Sequence, residues 1–319
     1  MKPKVLVTRK LLPEALAYLE EHALVEGGKE IAGLTRKELK QKIRDKDGLL
    51  CLLVDRIDRD IISAGRRLRA IANCAVGFDN IDVGYARERG ILVTNTPGVL
   101  TEATADLTWA LILAVARKIP QADRFAKERR FTGWELDLFL GREVSGRRLG
   151  IIGLGRIGRA VAERARAFRM KVVYFDPTRL PTEEERGHGL DYLPLDELLS
   201  TADIVTIHAS LNPQTHHLLS AEKLKLMKKT AILVNVARGP IVDEAALAEA
   251  LAKGELWGAG LDVYEREPEI EEGLLRLDNV VLLPHIGSAT YETRSHMAMA
   301  AARNLVQGLR GERPDNLII

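Results

Sequence analysis

The stretch "LGIIGLGRIGRAV" (residues 149–161) decides the fold. Leu149–Ile152 is a short apolar run of the kind that forms a buried strand, and "RAVAERARAF" (159–168) has the pattern of a helix. Between them, Gly153-Leu154-Gly155-Arg156-Ile157-Gly158 fits GxGxxG. In that setting Gly153 makes the tight turn, Gly155 lets backbone approach a pyrophosphate, and Gly158 lets helix pack on strand. The free N–H groups and positive dipole end of the helix then face phosphate. The next apolar run, "KVVYFD" (171–176), ends in Asp176, eighteen residues past Gly158. An acid there accepts hydrogen bonds from ribose hydroxyls and repels a 2′-phosphate, which favours NAD(H). Arg179 could pair with a 2′-phosphate, so NADP(H) stays open.

Such a fingerprint usually opens a domain, yet here it begins near the middle of 319 residues. A chain of that length exceeds one comfortable hydrophobic core, so two domains are expected. Ahead of the fingerprint, "KVLVT" (4–8), "GLLCLLV" (48–54), "LRAIANCA" (68–75) and "ILVTNTP" (91–97) read as strands. They alternate with helical patterns such as "LPEALAYLEE" (12–21) and "LTRKELKQKI" (34–43), where Thr35 and Glu38 fit a capping box. This is already a small α/β domain without a GxGxxG. A long apolar helix, "TEATADLTWALILAVARKI" (101–119), leads to the second α/β series. That series continues through "ADIVTIHA" (202–209), "AILVNVA" (231–237), "GAGLDV" (258–263) and "VVLLP" (280–284), and one more amphipathic helix and a short polar tail follow.

Composition narrows the function classes. With 46% hydrophobic residues and a net charge of +2, the chain reads as a soluble globular protein without the excess charge that nucleic acid or an anionic membrane demands. "RRLR" (66–69) and "KERR" (127–130) read as solvated helix faces. The charged start "MKPKVLVTRK" lacks a signal-peptide core, and "WALILAVA" (109–116) is too short to span a bilayer. Cys51 and Cys74 sit in apolar segments without metal-type spacing, as buried free thiols in a reducing cytoplasm would.

Six motifs in order carry a resemblance over nearly the whole chain: "CAVGFDNIDV" (74–83), "NTPGVLTEATADLT" (95–108), "GRRLGIIGLGRIG" (146–158), "VNVARGPIVDE" (234–244), "GAGLDVYEREP" (258–268) and "LLPHIGSAT" (282–290). Through them the chain resembles the D-isomer-specific 2-hydroxyacid dehydrogenases, and within them the glyoxylate/hydroxypyruvate reductases. The resemblance implies an α/β fold of two doubly wound parallel-sheet domains, a Rossmann cofactor domain inserted into a flavodoxin-like substrate domain. Residues 1–98 plus 287–319 would form the substrate domain and 99–286 the cofactor domain.

Reducing a 2-oxo acid requires a cation on the carboxylate and carbonyl, and an acid for the new alkoxide. Arg238 follows a strand at the carboxyl end of the cofactor sheet, and its planar fork suits two oxygens. The resemblance makes Arg238 the substrate-binding arginine. It makes His285, one of seven histidines, the general acid/base and Glu267 its carboxylate partner, which stabilises the protonated imidazole. Glu265, two residues earlier, is read as a surface charge.

By the same resemblance Val76 and Gly77 bind the substrate carboxylate and Leu53 limits side-chain size. Thr104 faces the cofactor phosphates beside the turn Gly153, Gly155, Arg156, Ile157 and Gly158. His208 to Leu211, Val236, Ala237, Asp262 and Gly287 line the rest of the cofactor track, with Asp262 open to a purely structural role. Trp134, in "GWELDLFLG" (133–141), matches a tryptophan that reaches into the partner subunit's site, and the 101–140 region would join a homodimer. The expected substrate is glyoxylate or hydroxypyruvate, with no metal, nucleic acid or membrane involved. Alternatives are a D-3-phosphoglycerate dehydrogenase or another D-2-hydroxyacid dehydrogenase, and, from another class, an NAD(H)-sensing co-repressor-like scaffold that keeps the same arginine, glutamate and histidine.

Overall fold

The computed structural model describes residues 2–319, which divide into two compact units. One runs up to Leu100 and resumes at Ser288–Ile319; the other is Thr101–Gly287. Both are parallel α/β sheets.

The discontinuous unit holds β1 (Lys4–Val7), β2 (Leu24–Gly27), β3 (Gly48–Cys51), β4 (Ala70–Asn73) and β5 (Leu92–Thr94). Their order is β2-β1-β3-β4-β5, all parallel, the flavodoxin-like arrangement. Every residue of β3 and β4 is buried, as a parallel sheet covered on both faces requires. The helix Arg36–Lys42 starts at the capping box expected of Thr35 and Glu38, each backbone N–H bound by the other's side chain. The C-terminal helix Tyr291–Arg310 packs on the helix Pro13–His22 and on β3, β4 and β5. The tail, expected to be a polar appendage, instead lies antiparallel along β5, with Ile318 N–H donating to the Val93 carbonyl at 2.8 Å. It thereby covers an edge that would otherwise be open to another chain. Neither cysteine is bridged; burial pushes the Cys51 thiol far up and that of Cys74 to about 12.

The continuous unit holds β6 (Arg148–Ile152), β7 (Lys171–Phe175), β8 (Leu190–Tyr192), β9 (Ile204–Ile207), β10 (Ile232–Asn235), β11 (Gly258–Leu261) and β12 (Val280–Leu282). The order is β12-β11-β10-β9-β6-β7-β8, all parallel. Strand order reverses between β6 and β9, and ligands bind at such switch points. Two strands, β2 and β8, are not expected from sequence. Both are short edge strands, β2 without a buried residue and β8 with Leu190 alone, so neither shows a buried apolar run.

The helix expected over 101–119 ends at Ala116, and a second runs Ile119–Lys127 after Lys118 turns to a φ of 53°. Pro120 explains the break: its ring would collide with the Ala116 carbonyl, four residues back, in a continued helix. That carbonyl accepts the Arg142 N–H instead, at 2.8 Å. The helix Thr101–Ala116 packs on the helix Arg156–Ala165 and on β10, β11 and β12, so much of its apolar character serves this unit's own core. Trp109 stacks on Phe168 and donates to the Val161 carbonyl at 3.2 Å. Exposed apolar side chains cluster further on, at Ile119, Phe131, Trp134, Leu136 and Leu140. Among the described residues, no helix is long and apolar enough to cross a membrane.

Candidate active site

In the continuous unit nearly all the singled-out residues lie just beyond the carboxyl ends of strands. Gly153 follows β6, Asp176 follows β7 and His208 follows β9; Val236, Ala237 and Arg238 follow β10, Asp262 follows β11, and His285 and Gly287 follow β12. Parallel strands deliver their side chains to one edge, so one rim collects groups scattered over 135 positions of sequence (from 153 to 287, both included).

The glycine turn has the shape a dinucleotide needs. Gly153 has φ +90°, and a Cβ there would lie 2.6 Å from the Ala209 nitrogen. A Cβ on Gly158 would lie 2.3 Å from the Gly153 carbonyl, so helix and turn meet only without a side chain. Gly155 is different: nothing stands within 4 Å of its would-be Cβ. It begins the helix Arg156–Ala165 with no side-chain cap, leaving the first-turn N–H groups toward open space. Asp176 is oriented by two backbone donors, Leu154 N–H and Thr178 N–H, each at 2.9 Å. Arg179 is held elsewhere: its guanidinium makes a two-pronged pair with buried Glu185, both contacts 2.9 Å, and Tyr174 donates to the same carboxylate. Burial pulls the His208 imidazole down to about 3, so it is neutral. Its Nε2 meets Thr206 Oγ1 at 3.0 Å, while buried Nδ1 has no partner among the described residues. An uncapped helix start, an open glycine and a buried polar atom awaiting a partner together fit a dinucleotide. The Thr104 side chain is buried, and its hydroxyl donates to the Gly287 carbonyl, tying helix to loop.

Around His285 the backbone is clamped. His285 adopts φ 54°, in the left-handed region that glycine tolerates more easily. On one side, Tyr264 Oη donates to the Leu283 carbonyl at 2.8 Å, and the Leu283 N–H donates to the Leu261 carbonyl at 2.8 Å. On the other, both oxygens of Asp262 accept backbone N–H groups, from Ile286 and Gly287, each at 2.7 Å. Burial pushes the Asp262 carboxyl up, only partly countered by those two donors. The structural reading of Asp262 is therefore visible in its contacts.

The imidazole Nδ1 of His285 lies 2.9 Å from Glu267 Oε2, and Tyr264 N–H donates to Glu267 Oε1 at 3.1 Å. Burial works against ionisation of Glu267. The hydrogen bond and charge of His285, then Tyr264 N–H and the Arg238 charge, outweigh it and hold the carboxyl below its usual range. With Nδ1 taken by Glu267, Nε2 is the nitrogen left for chemistry. Arg238 stands on a turn fixed by Asn235, whose amide donates to the Arg238 carbonyl at 2.9 Å and whose Oδ1 accepts the Ala237 N–H at 3.0 Å.

In the discontinuous unit, Leu53 follows β3, and Val76 and Gly77 follow β4. Their loops are pinned by three asparagines. Asn73 donates to the Gly77 carbonyl at 2.8 Å, Asn95 to the Val76 carbonyl at 2.7 Å, and Asn80 to the carbonyls of Leu52 and Asp55. Trp134 is 80% exposed on the 119–140 segment. Sequence reasoning missed Asn73, Asn80, Asn95, Asn235 and Tyr264, all of which position site loops. For all but Asn80, the one sequence signal is an asparagine or tyrosine at or just past a strand's end.

Comparison with known proteins places the chain. The family described as "D-isomer specific 2-hydroxyacid dehydrogenase, NAD binding domain" matches residues 109–287. A glyoxylate reductase of Thermococcus onnurineus is 48% identical over 322 aligned positions, covering 100% of this chain and 96% of its own. A Thermus thermophilus structure superposes with a TM-score of 0.92 at 46% identity, covering 99% of this chain and 100% of its own. The NADPH-dependent glyoxylate/hydroxypyruvate reductase of Sinorhizobium meliloti, solved with NADP and malonate, has a TM-score of 0.87 at 34% identity, with 100% and 97% covered. The chain belongs to the D-isomer specific 2-hydroxyacid dehydrogenase family, an oxidoreductase family with an NAD-binding domain, in the branch that holds relatives named glyoxylate reductase.

Proposed function

We propose that this protein reduces a small 2-oxo acid, glyoxylate or hydroxypyruvate, to the 2-hydroxy acid, with NADH as the preferred donor. The observation that carries the reading is the His285–Glu267 contact of 2.9 Å beside the Arg238 turn, at the rim where the glycine fingerprint lies. The relatives' names supply the substrate class.

The residues that would hold the dinucleotide are Gly153 to Gly158 at the pyrophosphate, Asp176 at the ribose, and His208, Val236, Ala237, Asp262 and Gly287 along the track. When bound, the reduced nicotinamide supplies the hydride. Arg238 holds the substrate carboxylate and polarises the carbonyl, drawing its electron pair toward oxygen. His285 gives the proton on Nε2 to the alkoxide oxygen, and Glu267 steadies the imidazolium before that transfer. On this reading Val76 and Gly77 bind the substrate carboxylate and Leu53 limits its side chain. Arg179 is engaged by Glu185, so the Asp176 charge remains to disfavour a 2′-phosphate. A homodimer would cover the apolar side chains of the 119–140 segment, Trp134 among them, and the cytoplasm is the expected compartment.

The test is direct. Glyoxylate, hydroxypyruvate and pyruvate are each mixed with the protein and NADH or NADPH, and loss of reduced-nicotinamide absorbance is followed. Fast turnover of the first two with NADH is expected; binding of NADH without turnover of any would defeat the reading.

A further inference from the structure

Next to Pro240, two residues past Arg238, three ligand-type side chains converge that the proposed reaction does not use. His217 Nε2 lies 2.9 Å from Glu265 Oε1, and the His216 ring stacks on His217 with centroids 4.2 Å apart. One ligand atom from each of the three lies within 4.8 Å of the others. We propose that His216, His217 and Glu265 form a capture site for a divalent transition metal of the zinc, cobalt or nickel kind. This assignment stands independently of the reaction proposed above.

The residues are aimed by their surroundings. Asn212 Oδ1 accepts the N–H groups of Gln214 and Thr215, at 2.9 and 3.0 Å, which folds the turn that presents both histidines. His217 has φ 49°, and its N–H donates to the Pro240 carbonyl at 2.8 Å. Glu265 is gripped by Glu244: the Glu265 N–H donates to Glu244 Oε1 at 2.8 Å, and the Glu244 N–H to Glu265 Oε2 at 3.4 Å. That grip leaves Oε1 directed at His217, the kind of outer support that orients metal ligands.

The donor set selects the ion. Two imidazoles and one carboxylate suit zinc and its first-row neighbours, whereas calcium and magnesium prefer all-oxygen sites. Ligand atoms about 2.0–2.1 Å from a tetrahedral zinc stand about 3.4 Å apart, so the His217–Glu265 pair needs to widen only slightly. His216 is exposed, and its ring would have to turn from its stack on His217 to bring a nitrogen to the ion. Three protein ligands leave a position for water, which makes the site exchangeable. Occupancy would tie the 212–219 loop, hydrogen-bonded to Pro240 and Ile241, to the segment ending in Glu267.

The test uses full-length protein stripped with a chelator, dialysed, and titrated with Co2+ while visible absorption is recorded. One saturable equivalent is expected, displaced by Zn2+, and Zn2+ should raise the melting temperature. His216→Gln, a surface change, should weaken binding by about 100-fold or more, since even an outer-shell partner is worth about 10–100-fold. Glu265→Gln should do the same. His285→Gln should bind Co2+ as the parent does, which separates this site from the His285–Glu267 pair. No saturable Co2+ signal, parent-like affinity in both His216→Gln and Glu265→Gln, or loss of binding in His285→Gln would each overturn the assignment.

Discussion

Replacing Asp262 with Asn tests whether the backbone clamp around His285 holds the reacting geometry. The carboxylate accepts two N–H groups at 2.7 Å, and the residue is 1% exposed. An amide of the same shape offers one oxygen and one NH2, so one backbone donor would face another donor. The lost charge-assisted bond costs about 1.5–3 kcal/mol, and the surviving bond weakens from charged to neutral. In the other direction, burial already disfavours the Asp262 charge, and Asn removes it. The net cost is about 2–3 kcal/mol. At about 2–4 °C per kcal/mol for a unit of this size, the melting temperature should fall by about 4–12 °C. Activity should fall further than stability suggests, because His285 keeps its positive φ only while Ile286 and Gly287 are held. A displacement of about 1 Å at a reacting group costs about 100-fold. Calorimetry gives the first number, and kcat on glyoxylate at saturating NADH gives the second. A variant melting within about 1 °C of the parent with unchanged kcat would refute the reasoning. If Asp262 served the cofactor alone, NADH affinity would fall while melting stayed put.

Three further outcomes follow from the site. Because Glu267 is held below its usual range in the fold, its ionisation stabilises the protein above about pH 4.3 and that contribution is lost as pH falls through the folded value. Glu267→Gln should therefore flatten the acid limb of the melting-temperature profile and lower kcat by about 100-fold or more, and an unaltered acid limb counts against it. Asp176→Ser should move the NADH-to-NADPH preference by about tenfold, near 1.4 kcal/mol, and an unchanged ratio would place the discrimination elsewhere. Sedimentation should show a dimer that a paired Trp134→Ala and Leu136→Ser change weakens; a parent that sediments as a monomer rules the interface out.

Much of the site is legible because parallel sheets put chemistry at strand ends, and strand ends can be read from apolar runs. Gly153, Asp176, Arg238 and His285 each stand one to three residues past such a run. Partnerships across sequence are not legible. That Glu185 takes Arg179, or Gly287 the Thr104 hydroxyl, depends on neighbours that only the folded chain brings close. Edge strands β2 and β8 leave no clear signal because little apolar surface is buried there. Glu265 reads as a surface charge for a similar reason: nothing local announces that His217, 48 positions away, will meet it.

The exposed segment between Ala116 and Arg142 begins and ends at one place. The Ala116 carbonyl binds the Arg142 N–H at 2.8 Å, and Gly141 comes so near that a Cβ would lie 2.3 Å from the same oxygen. Topologically the excursion is a side branch closed at this neck, and it touches the unit again where the Gln121 amide donates to the Asp278 carbonyl and Lys118 lies over the Trp257 ring. Changes of length within it add little closure entropy, since each doubling costs only about 0.6 kcal/mol. A graft of another sequence between those two residues should leave the dinucleotide fold standing, provided the glycine at the neck is kept. The arm is thus an exchangeable cassette, a place where evolution or an engineer could rewrite exposed surface, so long as its neck and its contacts to Asp278 and Trp257 are kept.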